Sequence, residues 1–357
     1  MIIAGFSVRS AVESAKRAGI AKLIAVDFFG DWDLRRLASR IELVRSLKEL
    51  EVKLSFYPEK KIIYTSVLEN HPAILRRLRG RILGNEFSVV EVLRPGRKWW
   101  ELASRLGISI PRVSITPPSD GRWLVKPYKS GGGKGISFWE EGMSLKRGYY
   151  FQEFIEGDSI SFLFVANGRE FTTVGITKQL IGLRFFGASG FKWCGNIYPY
   201  HVNRIYRNRI EDWVGRLIEN TGFKGAGGVD IVIGEDGPYF IEVNPRYTAS
   251  MELVEKSTGA SIIMAHILAC EGELVKLSAK PAEYMAKGII YAERELTGFK
   301  SEEMWSRGFR DIPHEDERIP KGRPVCTIFA KGKCLRDVMN ALLKEKEWLY
   351  ERGIEKR

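Results

Sequence analysis

Asp230, Glu242, Asn244 and Arg246 place two carboxylates, an amide and a guanidinium in one short span. The span reads Gly-Gly-Val-Asp-Ile-Val-Ile, then Gly-Glu-Asp-Gly, then Tyr-Phe-Ile-Glu-Val-Asn-Pro-Arg. Two apolar runs around a Glu-Asp-Gly turn predict a β-hairpin. Alternate residues of a strand share a face. Glu242, Asn244 and Arg246 therefore point one way, and Ile241 and Val243 face the core. Pairing across the hairpin would bring Asp230 to Glu242. Hard oxygen ligands of this kind suit Mg2+ shared with substrate phosphates. The arginine is placed to hold an anion. Acidic and amide residues beside a turn are often simply solvated, so this span does not decide the matter alone.

A second segment runs Arg122-Trp-Leu-Val-Lys126-Pro-Tyr-Lys-Ser130-Gly131-Gly132-Gly133-Lys134-Gly135. A short apolar run ends at Lys126, and a loop of glycines and lysines leads to another apolar run. Strand, loop, strand is the expected local structure. Glycines let backbone N–H groups approach and cradle phosphate oxygens. An inward Lys126 meets phosphate as a point charge. The order of a Walker A loop is absent, and no helix is signalled after the loop. A glycine run can be a plain flexible turn. Together with the acidic hairpin downstream it points to nucleotide and metal chemistry.

These segments resemble the ATP-grasp enzymes. Val125-Lys126-Pro127 and the glycine loop resemble the family's phosphate-covering strand and loop, covering Ser130, Gly131, Gly132, Gly133, Lys134 and Gly135. Phe151-Gln152-Glu153-Phe154-Ile155-Glu156-Gly157 resembles its hinge, where backbone groups read adenine. The resemblance makes Asp230, Glu242 and Asn244 metal ligands and Arg246 the catalytic arginine. It makes Lys98, in Arg97-Lys98-Trp99, the earlier ATP-binding lysine. Three positions depart from the common pattern. Gln152 stands where Glu is frequent, Ser159 stands at the ribose-binding Glu, and Arg97 replaces an Asp. Asp158 or Ser159 is left to meet the ribose. The full-length layout is similar to a group of predicted ATP-dependent carboligases of archaea and methylotrophs, related to biotin carboxylase. That likeness rests on Gly5–Arg9, Asp27–Asp33, Leu68-Glu69-Asn70 and Gly322–Ala330. The resemblance implies ATP as co-substrate, Mg2+ or Mn2+ as the ion, and a possible homodimer.

The expected fold class is α/β and α+β. It is an ATP-grasp fold with an N-terminal Rossmann-like (pre-ATP-grasp) domain and a small C-terminal α+β domain. Residues 1–95 read as the first domain. Ile2–Phe6 and Lys22–Val26 are strand-like, and Arg9–Ala18 between them has helical spacing, with Ser7 as cap and Gly19 as stop. Ile62–Thr65 and Arg81–Leu83 are further strands, and Pro72–Arg79 a helix. Ligands bind such sheets at the carboxyl ends of the strands. Arg9 is there a candidate for a substrate anion, or a surface arginine. The first turn lacks the dinucleotide fingerprint of glycines, which argues against that cofactor. Residues 96–150 form the small lobe, 151–275 the large lobe, and 276–357 a C-terminal cap closing one side of the cleft. The cap carries strands Ala286–Ala292 and Arg323–Ala330 and helix Leu335–Tyr350. Lys178–Tyr200, rich in glycine and aromatics, reads as a loop lining the cleft. Lys178, Lys192 and His201 are its candidate contacts, with Lys192 assigned to substrate.

Composition bounds the rest. The chain has 357 residues, 44% hydrophobic and 28% charged, as in globular proteins. No apolar run approaches the ~18 residues that span a membrane. No leader pattern precedes Ile2, so a cytoplasmic location is expected. Cys194, Cys270, Cys326 and Cys334 lack metal-ligand spacing and suit a reducing compartment. The net charge of +12 raises nucleic acid as a partner. The densest basic stretch, Arg76–Arg81, lies on a helix pattern that reads as a solvated face, so no nucleic acid is expected. The implied activity is an ADP-forming carboxylate–amine ligase acting through an acyl phosphate on small-molecule acid and amine substrates. A bicarbonate-activating carboxylase of the biotin-carboxylase kind, or a non-catalytic nucleotide-binding protein, are the alternatives. No general base is evident.

Overall fold

The structure is a computed structural model describing residues 1–277 and 281–355. The first unit runs β1 (Ile2–Ala4), α1 (Arg9–Arg17), β2 (Ile24–Asp27), α2 (Leu34–Leu37), β3 (Arg40–Leu43), α3 (Leu47–Ser55) and β4 (Ile62–Tyr64). Its sheet is parallel, in the order β3-β2-β1-β4. Ile82 adds only an isolated parallel bridge to Ile62, where a fuller strand was expected. Ser7 does not cap α1. Val8 holds the cap position, and its N–H donates to Asp27 Oδ2 at 2.8 Å. The other oxygen of Asp27 accepts from the N–H groups of Phe29 and Gly30, both at 2.7 Å. Asp27 thus ties the carboxyl end of β2 to the start of α1. A 3-10 turn, Leu68–Asn70, then leads to α4 (Pro72–Arg77), α5 (Phe87–Leu93) and α6 (Arg97–Arg105).

The small lobe holds β5 (Val113–Ser114), β6 (Trp123–Pro127), β7 (Ser137–Phe138) and β8 (Tyr149–Glu153). They form an antiparallel sheet in the order β5-β8-β6-β7. The large sheet begins with β9 (Asp158–Asn167), β10 (Phe171–Ile181) and β11 (Trp193–Tyr198). After α7 (Arg204–Thr221) come β12 (Lys224–Gly234) and β13 (Gly237–Asn244). Helices α8 (Met251–Thr258) and α9 (Ile262–Cys270) precede β14 (Tyr284–Tyr291), α10 (Ser301–Ser306), β15 (Pro324–Gly332) and α11 (Leu335–Trp348). The sheet is antiparallel throughout, ordered β13-β12-β9-β10-β11-β14-β15. Two expectations change here. Lys178–Tyr200 takes in the end of β10 and all of β11, so the loop is confined to the residues between them, which include a 3-10 turn at Arg184–Phe186. The C-terminal strands extend the large sheet instead of forming a separate cap. No single helix among the described residues is long and apolar enough to cross a membrane.

Helix α7 shows how the large lobe is fixed. Asn203 caps it by accepting from Tyr206 N, and Gly222 ends it at φ +67°. Ile210, Trp213, Val214, Leu217 and Ile218 recur at helical spacing and are buried. They pack with Phe223, Phe240 and Val243, so the helix braces the underside of the β12–β13 hairpin. Each such side chain contributes ~1.5–3 kcal/mol by leaving water.

His266 of α9 joins the first unit to the large sheet. Its Nδ1 accepts from Ala226 N at 2.8 Å, and its Nε2 lies 2.8 Å from Leu83 O. Burial pushes its pKa down to about 4 from 6.5. The unfolded chain therefore binds the proton first as pH falls. This contribution to stability is complete above pH 6.5 and declines as pH drops toward 4. At 1.36 kcal/mol per unit the loss is about 3 kcal/mol. Urea unfolding between pH 7 and 4.5 should show this slope in the native sequence and a flatter one in His266→Gln.

Candidate active site

The hairpin pairs Asp230 with Glu242 and Gly228 with Asn244. The register slips once between Asp230 and Ile231, because Ile231 faces Phe240. Ile241 is the extra residue of a β-bulge. Phe240 and Val243 therefore both enter the core, at 1% and 0% exposure, and Ile241 does not, against expectation. Bulges re-aim side chains beside functional sites. Here the bulge lets Glu242 stay over the cleft while the strand on either side stays anchored.

Asp230 Oδ1 accepts from Ser161 Oγ at 2.8 Å and Gln179 Nε2 at 2.7 Å. Its Oδ2 accepts from Asn244 Nδ2 at 3.1 Å. Glu242 Oε1 accepts from Arg94 Nη1 at 2.7 Å. Arg246 Nη2 donates to Asn244 Oδ1 at 3.1 Å, and its Nε donates to Glu69 Oε1 at 2.7 Å. Burial, with Glu242 opposite, pushes the Asp230 pKa up to about 6. Burial also works against Glu242, but Arg94 and Lys126 outweigh it and hold its pKa below the ordinary value. Lys126, on β6, is 9% exposed. Burial lowers its pKa, opposed by Glu242 and Asp230.

The donor set fits a divalent cation. No group of three His, Cys, Asp or Glu side chains gathers among the described residues. Mg2+, however, commonly takes one or two carboxylates and completes its shell with water and substrate phosphates. Asp230, Glu242 and the Asn244 amide oxygen supply that. The strain of two neighbouring carboxylates, visible in the raised Asp230 pKa, is what a cation relieves.

The glycine loop is bonded to β11 and to the turn that carries Glu69. Gly132, Gly133 and Gly135 adopt φ of +61°, +78° and +79°. A Cβ at Gly133 would sit 1.8 Å from Phe191 O, so only glycine allows this approach. Trp193 N donates to Gly132 O at 3.1 Å, and Asn70 Nδ2 donates to Ser130 O at 3.1 Å. The loop is held from both sides of the cleft. Ser130 Oγ donates to Lys134 O at 2.6 Å, and Lys134 itself is exposed, as is Gly131.

The other expected contacts vary. Gln152 is buried in β8, 3.4 Å from Tyr150 Oη, and Glu153 pairs with Arg112 at 3.0 Å. Phe154 N donates to Arg122 O at 2.8 Å, and the Phe154 ring meets Phe138 and Phe191. Ile155 abuts Gly234 of β12, and Ser159 lies opposite Val232. Asp158 accepts from Lys178 at 2.7 Å and from Tyr200 Oη. Lys192 donates to Gly322 O at 3.2 Å, with its ammonium 4.5 Å from the Tyr291 ring centroid. His201 is exposed.

One placement, that of Arg9, differs from expectation. Lys98 stands at the surface. It projects from α6 away from buried Trp99, is 57% exposed, and pairs with Glu91 at 2.7 Å. Arg9 is neither on the surface nor free for a substrate anion. It is 1% exposed, and its donors are taken by Glu13, Glu252 and Asp311.

Sequence reasoning missed Arg94, Glu69, Asn70, Gln179 and Ser161. Arg94 was legible only as part of the Arg94-Pro95-Gly96 break, and Glu69-Asn70 only as part of a resemblance. Among the described residues, four buried side-chain polar atoms lack a partner, and three are Glu69 Oε2, Asn70 Oδ1 and Arg94 Nε. Unpartnered polar atoms in that concentration mark a place for a ligand.

A parallel-sheet unit, a small antiparallel lobe and a large antiparallel sheet closing on a carboxylate hairpin define a protein of ATP-grasp architecture. An ATP-grasp domain model matches residues 99–250, and a model of the ATP-binding domain of the carbamoyl-phosphate synthase L chain matches 201–303. An uncharacterised protein of Methanocaldococcus jannaschii is 30% identical over 195 residues, covering 54% of this chain and 45% of that protein. Tyramine–L-glutamate ligase of the same organism is 25% identical over 234 residues, covering 62% and 66%. The chain thus spans less than two thirds of either relative. Biotin carboxylase from Campylobacter jejuni has the same fold, with TM-score 0.73 at 16% identity, covering 99% of this chain and 92% of that one. Residues 99–250 of this chain thus carry an ATP-grasp domain.

Proposed function

We propose that this chain is an ATP-dependent, ADP-forming carboxylate–amine ligase that works through an acyl phosphate. The observation that carries this reading is the hydrogen-bonded set of Asp230, Asn244 and Arg246, with Glu242 paired across the hairpin to Asp230 and Lys126 close enough to stabilise both carboxylates. A carboxylate is a poor acylating agent and must be activated. Its oxygen attacks the γ-phosphorus of ATP, the bond to the β-phosphate oxygen breaks, and ADP leaves with the electron pair. Such transfers need positioning and charge neutralisation more than covalent help. Lys126 and the N–H groups of Gly131–Gly135 meet the phosphates. Asp230, Glu242 and Asn244 would hold Mg2+, which would supply the remaining positive charge to the phosphates. The loop, seated on Trp193 and Asn70, excludes water that would hydrolyse the acyl phosphate. Arg246 is aimed by Glu69 and Asn244 and donates to the oxyanion formed when an amine attacks. Lys98 would join the nucleotide site after leaving Glu91. Tyramine–L-glutamate ligase, by its name, joins an amine to an acid, which agrees with this chemistry.

The test is an ADP-release screen of carboxylates against amines, including L-glutamate with tyramine, followed by product mass. ADP and phosphate are expected in equal amounts only when an acid and an amine are both present, with a product of their summed mass less water. Release driven by bicarbonate would instead favour the carboxylase reading. Nucleotide binding without turnover on any pair would favour a non-catalytic nucleotide-binding protein.

A further inference from the structure

The turn after β4 holds a pair of acceptors that the chain itself does not satisfy. Val67 enters this turn at φ +89°, a region that β-branched residues rarely adopt, and so delivers Glu69 and Asn70 to the cleft. Glu69 is 2% exposed and Asn70 5%. Each spends one polar atom on the cleft wall. Glu69 Oε1 accepts from Arg246 at 2.7 Å, and Asn70 Nδ2 donates to the glycine-loop carbonyl of Ser130 at 3.1 Å. The remaining atoms, Glu69 Oε2 and Asn70 Oδ1, have no partner. Leaving such an acceptor dry is unfavourable. Of the nearby donors, Arg246 also serves Asn244 Oδ1 and Tyr247 O, Arg94 Nη1 serves Glu242, and Arg94 Nε is itself unpartnered.

We propose that Glu69 Oε2 and Asn70 Oδ1 form the subsite for the primary amine nitrogen of the second substrate. This rests on the ligase reading and names where its nucleophile is held. A neutral primary amine has two N–H donors and one lone pair. Two acceptors take both hydrogens and leave the lone pair free. Arg246, bonded to the same Glu69, holds the carbonyl beside it. The carboxylate also accepts the ammonium form, so the amine enters in either state. A carboxylate ligand brings no donor and meets the Glu69 charge, so the acid substrate is excluded from this position. Ser130 closes over Asn70 only with the glycine loop, which couples amine retention to loop closure.

The test uses an acid–amine pair from the ADP-release screen. Glu69→Gln keeps an acceptor for Arg246 but removes the charge. It should raise KM for the amine about a hundredfold and leave KM for acid and ATP within about threefold. Asn70→Ala should raise the amine KM about tenfold. Since Glu69 also aims Arg246 and Asn70 also seats the loop, kcat falls on either view; a bridging water, or a purely structural role, would raise all three KM values together, and that result overturns the subsite. Calorimetric titration of ethylamine into the MgADP-loaded protein gives a turnover-free readout. Binding that is lost in Glu69→Gln supports the subsite. Equal binding in both proteins, or none in the native one, overturns it. If no pair releases ADP while ethylamine binding still depends on Glu69, the ligase reading fails and the amine subsite stands. If circular dichroism finds Glu69→Gln unfolded, Asn70→Ala carries both comparisons.

Discussion

Glu242→Gln combined with Asn244→Ala should cut acid- and amine-dependent ADP release to about 1% or less, a loss of roughly a hundred- to thousandfold or more. The size follows from what the pair does. Glu242 and Asn244 alternate along β13 and lie opposite Asp230 and Gly228. Glu242→Gln keeps an amide oxygen for Arg94 Nη1 but removes the charge that pairs with it. The double variant therefore keeps the hairpin but lacks the Glu242 charge and the Asn244 amide oxygen that would gather positive charge on the phosphates. Raising Mg2+ tenfold should recover little, because the lost groups are ligands and not merely neighbours. Steady-state ADP release with circular dichroism as a fold control checks this. Turnover within a few-fold of the native rate would sink the assignment of these residues.

Arg9→Met should destabilise the fold by about 3–5 kcal/mol, the usual cost of breaking a buried ion pair by removing one partner. Arg9 Nη2 donates to Glu252 at 3.1 Å and to Asp311 at 2.9 Å, and Nη1 donates to Glu13 at 2.9 Å. Asp33 lies 3.6 Å from its Nε. Lys287 still pairs with Glu252 at 2.9 Å, and Arg310 with Glu13 at 3.2 Å. Asp311 has no such second cation among its bonds and sits at φ +53°. Its uncompensated charge should dominate the loss. Adding Asp311→Asn to Arg9→Met should then cost less than the sum of the two changes, since both remove one interaction. Urea unfolding of the single and double variants gives the four values of that cycle. A strictly additive cycle would show that Asp311 is not the group Arg9 serves.

Local pattern made much of this molecule legible. Apolar alternation and a turn located the β12–β13 hairpin, and strand–helix–strand spacing located the parallel sheet. Period-two reasoning failed at Ile241, because a bulge adds one residue without any signal in the apolar pattern. Edge strand β3 was missed because Arg40–Leu43 alternates charged and apolar residues over only 4 positions. The partners of Arg9 come from residues 13, 33, 252 and 311, so no window of sequence contains them. The same holds for Glu69 and Arg94, which reach the hairpin only when the first unit folds against the large sheet. A helix turns by about 100° per residue, so Trp99 takes the inward face of α6 while its neighbour Lys98 stays exposed.

The continuity of the large sheet across position 275 has a consequence for how the chain can be divided. β11 pairs with β14 through Gly195–Tyr198, and β14 pairs in turn with β15. A chain shortened before β14 would leave the outer N–H and C=O groups of β11 open to any passing strand. It would also strip the cover from Leu180, Cys194 and Ile197, which share their core with Ile290, Ile328 and Leu342. The C-terminal quarter is thus an edge guard, and its loss should be felt first as self-association rather than as a change at the catalytic cleft.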